Sequence, residues 1–391
     1  MSNLQIDHSP DLKRLRDEGY TVYIKGGILV VEDIPYVNNK CEIAIGTLIS
    51  TLTLLGGRAK YDQDHKAYFI GDEPCHKDGR EISEIINTKS ITNHGNDIVS
   101  KMMLSSKPQG NYRDYHHKMT AYVAMISSPA QSIDPTVTPK KHKVFQELDS
   151  DSVFNYHDAN SSRSSISHIT DKLKPYKIGI IGLGGTGSYI LDFVAKSPVE
   201  QIHLFDGDEF FSHNAFRAPG APSIEELNSS MKKVSYLKGI YSKMHRGITA
   251  HPVFINEDYL SLLDGLNFIF VAVDDGSIKK IIFAHLDEKE IEYVDVGMGV
   301  SIKDNKLSGM LRTTSFITHS SKHLQSTLNY STSEDDIYGS NIQIAELNSI
   351  NASLAVMAWK QSAGFYQSLI GVDQTLFTLS TMNLIRTENA A

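Results

Sequence analysis

The chain has 391 residues, of which 40% are hydrophobic and 21% charged, and it carries a formal net charge of -8 with a pI near 6.0. That length favours two domains, each able to bury its own core, and the acidic balance argues against a basic groove for nucleic acid. Two cysteines, Cys41 and Cys75, are too few for a disulfide framework or a four-thiolate zinc site.

The opening "MSNLQIDHSPDLKRLRDEG" has charges where a signal peptide needs an apolar core, and no run approaches the length that spans a bilayer. A cytoplasmic protein with no membrane or nucleic-acid partner is expected. The stretch "YTVYIKGGILVVEDIPYV" predicts a hairpin about Lys25-Gly26-Gly27, and "CEIAIGTLISTLTLL" and "HKAYFIGDEPC" follow as further β-rich runs. Residues 1–145 therefore form a smaller α+β module without a nucleotide loop. The polar stretch with Pro135 and Pro139 leads into a linker over 146–160.

From Lys177 the pattern changes to short apolar runs, "KIGIIG", "QIHLF", "HPVFI", "NFIFVAV" and "EYVDVG", separated by helix-like segments. Alternating βα units predict a Rossmann-like α/β domain over 161–391 with a mostly parallel sheet. Ser223 and Glu226 form a capping-box pattern ahead of the segment that carries Lys232 and Lys233. After about residue 313 a Ser/Thr-rich stretch reads as a loop, and the helix "AELNSINASLAVMAWKQSAGFYQSLI" follows.

The chemistry lies in "IGIIGLGGTGSYILD". Gly182, Gly184 and Gly187 satisfy G-x-G-x-x-G, and a strand feeding a glycine turn and a helix aims N–H groups at an anion. Alone, this pattern fits a dehydrogenase. Asp206, at the end of the next strand, suits ribose in either a dinucleotide or an ATP site. Asp208, and Asn214 with Arg217 three residues on, exceed what a dehydrogenase requires, and arginine suits a polyphosphate. Lys233 follows in a helix, and Asp274 closes the run "NFIFVAVDD", where a carboxylate beside triphosphate oxygens can bind Mg²⁺.

These residues resemble the ThiF/MoeB and ubiquitin-activating-enzyme family of adenylyltransferases. The family pattern is met by Gly182, Gly184, Gly185, Gly187 and Ser188 in the loop, then Asp206, Asp208, Asn214, Arg217, Lys233 and Asp274. The resemblance covers about residues 160 to 391. It implies ATP and Mg²⁺, with Asp274 on the metal, and adenylation of the C-terminal carboxylate of a ubiquitin-like or sulfur-carrier protein with release of pyrophosphate. It further implies a homodimer whose second subunit lends an arginine, for which Arg163 is the candidate. A place in a bacterial ubiquitin-like conjugation or antiviral defence pathway, with a conjugating-type partner, belongs to the same resemblance. The N-terminal module resembles an uncharacterised domain that precedes such cores in bacterial proteins.

Two departures bear on chemistry. No cysteine follows Cys75, so neither zinc nor a thioester made within the second domain is expected. Cys75 stands ten residues after His65, a spacing similar to that of ubiquitin-conjugating enzymes, but Lys66 and Ala67 replace their Pro-Asn, and a buried structural thiol is the simpler reading. His116 and His117 point different ways on one element and are read as ordinary residues. Asn348 and Asn351 on the apolar helix are expected to satisfy backbone groups, with seating of a nucleotide or dimer partner as the alternative. An NAD-dependent oxidoreductase and a catalytically silent ATP-binding interaction protein remain the competing readings.

Overall fold

The computed structural model describes residues 2–108, 110–144, 152–164, 166–317, 342–369 and 372–388. The chain divides into two compact units, Met1–Asp149 with Tyr156–Arg163, and Ser150–Asn155 with Ser164–Ala391. Part of the expected linker is thus fixed in place. Asn155 donates its N–H to Met244 O at 2.9 Å and its side-chain amide to Ser242 O at 2.7 Å.

The first unit opens with helices α1 (Ser2–Asp7) and α2 (Pro10–Asp17). Its antiparallel sheet comprises β1 (Thr21–Lys25), β2 (Ile28–Val37), β3 (Ile43–Thr51), β4 (Lys66–Ile70), β5 (Ile86–Thr88) and β6 (Met102–Ser105), in the order β1-β2-β3-β4-β6-β5. Lys25 pairs with Ile28 across the predicted turn, where Gly26 and Gly27 both take positive φ, as a two-residue hairpin of the favoured hand requires. Helix α3 (Tyr115–Ile133) packs Tyr115, Met119, Tyr122 and Ile126 into one core with Leu29, Val31, Leu48 and Phe69. Helix α4 (Ala159–Arg163) closes this unit.

The second unit is built on β7 (Lys177–Ile181), α5 (Gly185–Val194), β8 (Gln201–Phe205), α6 (Ser212–Ala215), α7 (Ile224–Asn228), α8 (Lys233–Tyr241), β9 (Ile248–His251), a 3-10 turn (Glu257–Leu263), β10 (Phe268–Val271) and α9 (Gly276–Glu288). Strands β11 (Glu292–Lys303) and β12 (Lys306–Phe316), helix α10 (Ala345–Ser362), β13 (Val372–Thr378) and β14 (Asn383–Glu388) follow. The sheet order is β9-β8-β7-β10-β11-β12-β13-β14. Strands β7 to β11 are mutually parallel, and β12 to β14 add an antiparallel wing. The order reverses between β7 and β10, the place where open α/β sheets hold ligands. Among the described residues no helix is long and apolar enough to cross a membrane.

Local chemistry moved four expected boundaries. Strand β9 ends at His251, not within "HPVFI", because Pro252 offers no N–H to a ladder. The capping box is real, with Ser223 and Glu226 satisfying each other's backbone N–H, but it opens the short α7. Lys233 instead begins the separate helix α8 after Ser230 turns to positive φ. Thr313–Phe316, expected in a loop, close β12; residues 318–341 lie outside the described residues. Helix α10 stops at Ser362, where Gly364 at φ +67° and the Phe365 N–H to Lys360 O bond make a glycine C-terminal cap.

Candidate active site

The turn after β7 is set by contacts that only glycine permits. Gly182 has φ +87°, and a Cβ there would stand 2.5 Å from Ala272 O on the strand-end segment of β10. A Cβ on Gly187 would stand 1.8 Å from Gly182 O, so the first turn of α5 rests on the backbone it has just left. A Cβ on Gly185 would meet the Asn348 side-chain amide at 2.0 Å, whereas one on Gly184 meets nothing within 4 Å. Three glycines serve close packing, and the fourth leaves open space beside the pocket.

The first turn of a helix leaves N–H donors unpaired within it. Helix α5 presents that end to a cavity of about 590 Å³ lined by Gly182, Gly184, Gly185, Thr186, Asp206, Asp208, Arg217, Lys233, Asp274, Asn348 and Asn351. The predicted residues therefore largely converge. Asp206 is buried at the end of β8, where one oxygen accepts from Leu183 N at 2.7 Å and the other from Asp208 N at 2.8 Å. It braces the turn from the neighbouring strand. Lys233, also buried, lies 2.6 Å from Asp208 Oδ2 and 3.6 Å from Asp206 Oδ2. Its position at the start of α8 is fixed by its own N–H to Asp208 O at 2.9 Å.

Arg217 reaches the pocket wall with its Nε buried and, among the described residues, without a hydrogen-bond partner. A buried donor in that condition is costly unless an acceptor meets it, which makes the position fit for an anion. Asp274 is exposed at the mouth, on the segment after β10, while its neighbour Asp275 caps α9 by accepting from Ser277 N and Ile278 N. An exposed strand-end carboxylate suits Mg²⁺, which takes one or two carboxylates with phosphates and waters.

Two predicted residues sit otherwise. Ser188 is fully buried and turns its hydroxyl to Gly184 O and Gly185 O within its own helix. Asn214 lies outside the lining; its Oδ1 accepts from Phe211 N at 2.9 Å and holds the α6 turn from which Arg217 follows. Arg163 closes α4 of the first unit, and its side chain lies outside the described residues. Asn348 accepts from Thr186 Oγ1 at 2.9 Å and donates to Arg217 O at 3.3 Å, tying α10 to the glycine turn and to the arginine segment. Asn351 donates to Gly297 O at 3.1 Å and accepts from Thr313 Oγ1 at 3.1 Å. Both asparagines satisfy backbone groups and line the pocket.

Sequence reasoning missed the floor. Val296, Gly297 and Met298 of β11 line the cavity, and beside them the fully buried Asp295 is held between Lys279 Nζ and Arg312 Nη2, each at 2.6 Å. It also missed Phe254 and Asn256 at the far wall. The hairpin turn Asp304-Asn305, with both φ positive, was a signal in the sequence for the β11–β12 pair.

In the first unit, Cys75 is buried and donates to Glu73 O at 3.3 Å, and burial pushes its thiol up, with Glu73 and Glu81 adding to the effect. His116 lies 3.0 Å from Glu18, His117 Nδ1 accepts from Arg113 N, and the His65 carbonyl accepts from Tyr122. Among the described residues no group of three or more His, Cys, Asp or Glu is arranged to hold a metal ion.

A family model, the ThiF family, matches residues 158–389. The chain belongs to the ThiF family. A second model, a domain of unknown function (DUF6791), matches residues 10–159 and so precedes the ThiF domain. Among solved structures, a crystal structure of E. coli MccB with MccA-N7isoASN is 16% identical, over 60% of this chain and 73% of that one, with a TM-score of 0.44. One of selenomethionine PaaA is 18% identical over 57% and 76%, also with a TM-score of 0.44. E. coli MccB with ATP is 16% identical over 57% and 67%, with the same TM-score. No curated protein matches the chain. Membership in the ThiF family supports an adenylyltransferase-type enzyme that carries out ATP-dependent adenylation of a substrate's C-terminal carboxylate.

Proposed function

We propose that the protein uses ATP and Mg²⁺ to adenylate the C-terminal carboxylate of a ubiquitin-like or sulfur-carrier protein. A carboxylate oxygen attacks the α-phosphorus, the bond from that phosphorus to the β-phosphoryl oxygen breaks, and pyrophosphate leaves, so an acyl-adenylate remains. The observation that carries this reading is the convergence on one pocket of a glycine turn, the buried Lys233, Arg217 with its buried Nε, and a strand-end carboxylate, Asp274. A dinucleotide site requires only the turn and Asp206.

In this reading the amides of Gly184 to Thr186 hold phosphate oxygens, Asp206 holds the ribose, and Arg217 and Lys233 meet the charge that develops on the phosphates. Asp274 would hold Mg²⁺, which when bound supplies neutralisation of the triphosphate. The protein's own part is positioning. With no cysteine after Cys75 and that thiol buried, the adenylate is used directly or passed to the thiol of a conjugating-type partner. A cytoplasmic homodimer completes the reading, with Arg163 as the arginine lent between subunits; the exposed Phe216, next to Arg217, and the exposed Ile224 are the kind of apolar surface a second subunit covers. A role in bacterial ubiquitin-like conjugation or antiviral defence follows from the same resemblance.

The test is calorimetric titration with ATP plus Mg²⁺ and separately with NADH, followed by pyrophosphate release in the presence of candidate carboxyl-terminal proteins. ATP binding that weakens in Arg217→Ala and Asp274→Ala supports the reading. Binding of NADH with ATP ignored would overturn it, and ATP binding with no turnover on any carboxylate would leave a nucleotide-ordered interaction protein.

A further inference from the structure

Phe254 is 61% exposed, although its neighbours in the wall, Phe205 and Ile255, are buried. Its ring is nevertheless well placed. A Cβ on Gly207 would stand 2.5 Å from Phe254 Cε2 and 2.6 Å from Cδ2, so the ring lies on the bare backbone between Asp206 and Asp208. The short link that carries it is held at both ends. Val253 N and Asp206 N share the His251 carbonyl at 2.8 and 3.4 Å, and Asn256 caps the following 3-10 turn by accepting from Asp258 N at 3.1 Å. His251 is itself stacked on Phe205, with ring centroids 4.6 Å apart and planes 11° apart.

The pocket lining holds two groups of residues. One is the glycine turn with Arg217, Lys233 and Asn348; the other is Phe254 together with Ile181, Phe205, Ile255 and Ile278, which share one apolar cluster. Asp206 joins them, because it accepts from Leu183 N of the turn on one side and leads through Gly207 to Phe254 on the other. A nucleotide with phosphates on the turn and ribose at Asp206 has its base at Phe254. We infer that Phe254 is the stacking surface for that base and a determinant of nucleotide affinity, and that residue 207 is glycine so that the ring can lie there. This inference rests on the ATP reading above. An exposed aromatic face beside a ribose carboxylate gains from a planar base what it cannot gain from water.

The experiment compares wild type, Phe254→Ala and Phe254→Trp by calorimetric titration with ATP plus Mg²⁺ and with inorganic tripolyphosphate, which has no base. Phe254→Ala should weaken ATP roughly 5- to 150-fold, the range found when aromatic stacking on a base is removed, and leave tripolyphosphate unchanged. Phe254→Trp should restore ATP affinity, and its emission should be quenched on binding, against the background of the single native tryptophan, the buried Trp359. Phe254→Ala binding ATP within twofold of wild type, or losing ATP and tripolyphosphate equally, would overturn the assignment. Wild type binding tripolyphosphate but showing no preference for ATP would also overturn it, while failure to bind either would defeat the underlying ATP reading.

Discussion

Replacing Gly187 by alanine tests whether the glycine turn is built as described. The added Cβ would stand 1.8 Å from Gly182 O, 2.9 Å from Gly182 C and 3.5 Å from Ala272 Cβ. Neither neighbour is the end of a flexible side chain, so helix α5 and the turn must separate by about 1 Å or more to reach ordinary contact. Forcing a methyl into packed backbone costs about 1–3 kcal/mol, and a misplacement of about 1 Å in a group that positions substrate lowers rate on the order of 100-fold. Gly184→Ala is the matched contrast, because nothing stands within 4 Å of its Cβ and the methyl enters the pocket. Urea unfolding should show Gly187→Ala destabilised and Gly184→Ala unchanged, while ATP titration shows both impaired. A Gly187→Ala protein with wild-type unfolding midpoint and ATP affinity would refute the packing argument, as would a Gly184→Ala protein as unstable as Gly187→Ala.

Lys118 is fully buried on α3, where its Nζ donates to Ser50 Oγ at 2.8 Å, and burial pushes its ammonium down from 10.5 to about 8. At ~1.36 kcal/mol per pH unit, Lys118→Met should stabilise the first unit by about 3 kcal/mol at pH 7. Because the folded-state pKa is depressed, wild type gains stability as pH rises from about 8 to 10.5, so the advantage shrinks across that window; a constant difference in urea titrations would contradict the assignment. Lys233→Met leaves the buried Asp206 without its cation and should cost about 3–5 kcal/mol, as breaking a buried pair does, and Asp206→Asn in the same chain should recover part of it. Iodoacetamide followed by mass spectrometry should label exposed Cys41 in the native protein and Cys75 only after unfolding.

Strands β7 and β10 were legible because each is a short apolar run buried on both faces, with almost every residue covered. The convergence of Arg217, Lys233 and Asp274 was legible because Asp274 follows a strand end, Lys233 opens a helix, and Arg217 follows the short helix α6 after β8. What was illegible depends on chain segments far apart in sequence. Asn348 meets Thr186 from 162 residues away, and no local pattern announces it. Ser188 belongs to the family pattern, yet its hydroxyl stays inside its helix, as serines near a helix start do when a carbonyl of the preceding turn lies within reach. The capping box pointed to the wrong helix because it reports only that one begins, not how far it runs.

The contact between Gly187 and the Gly182 carbonyl has a consequence for descent. The third glycine is demanded by two stretches of main chain touching, whatever occupies the cavity beyond them. A lineage that abandoned nucleotides would remain under pressure to keep it, while Arg217 and Gly184 would be released to drift. The spacing of the glycines is thus a record of how a helix lands on a sheet, and the cations around it are the record of what the sheet is for.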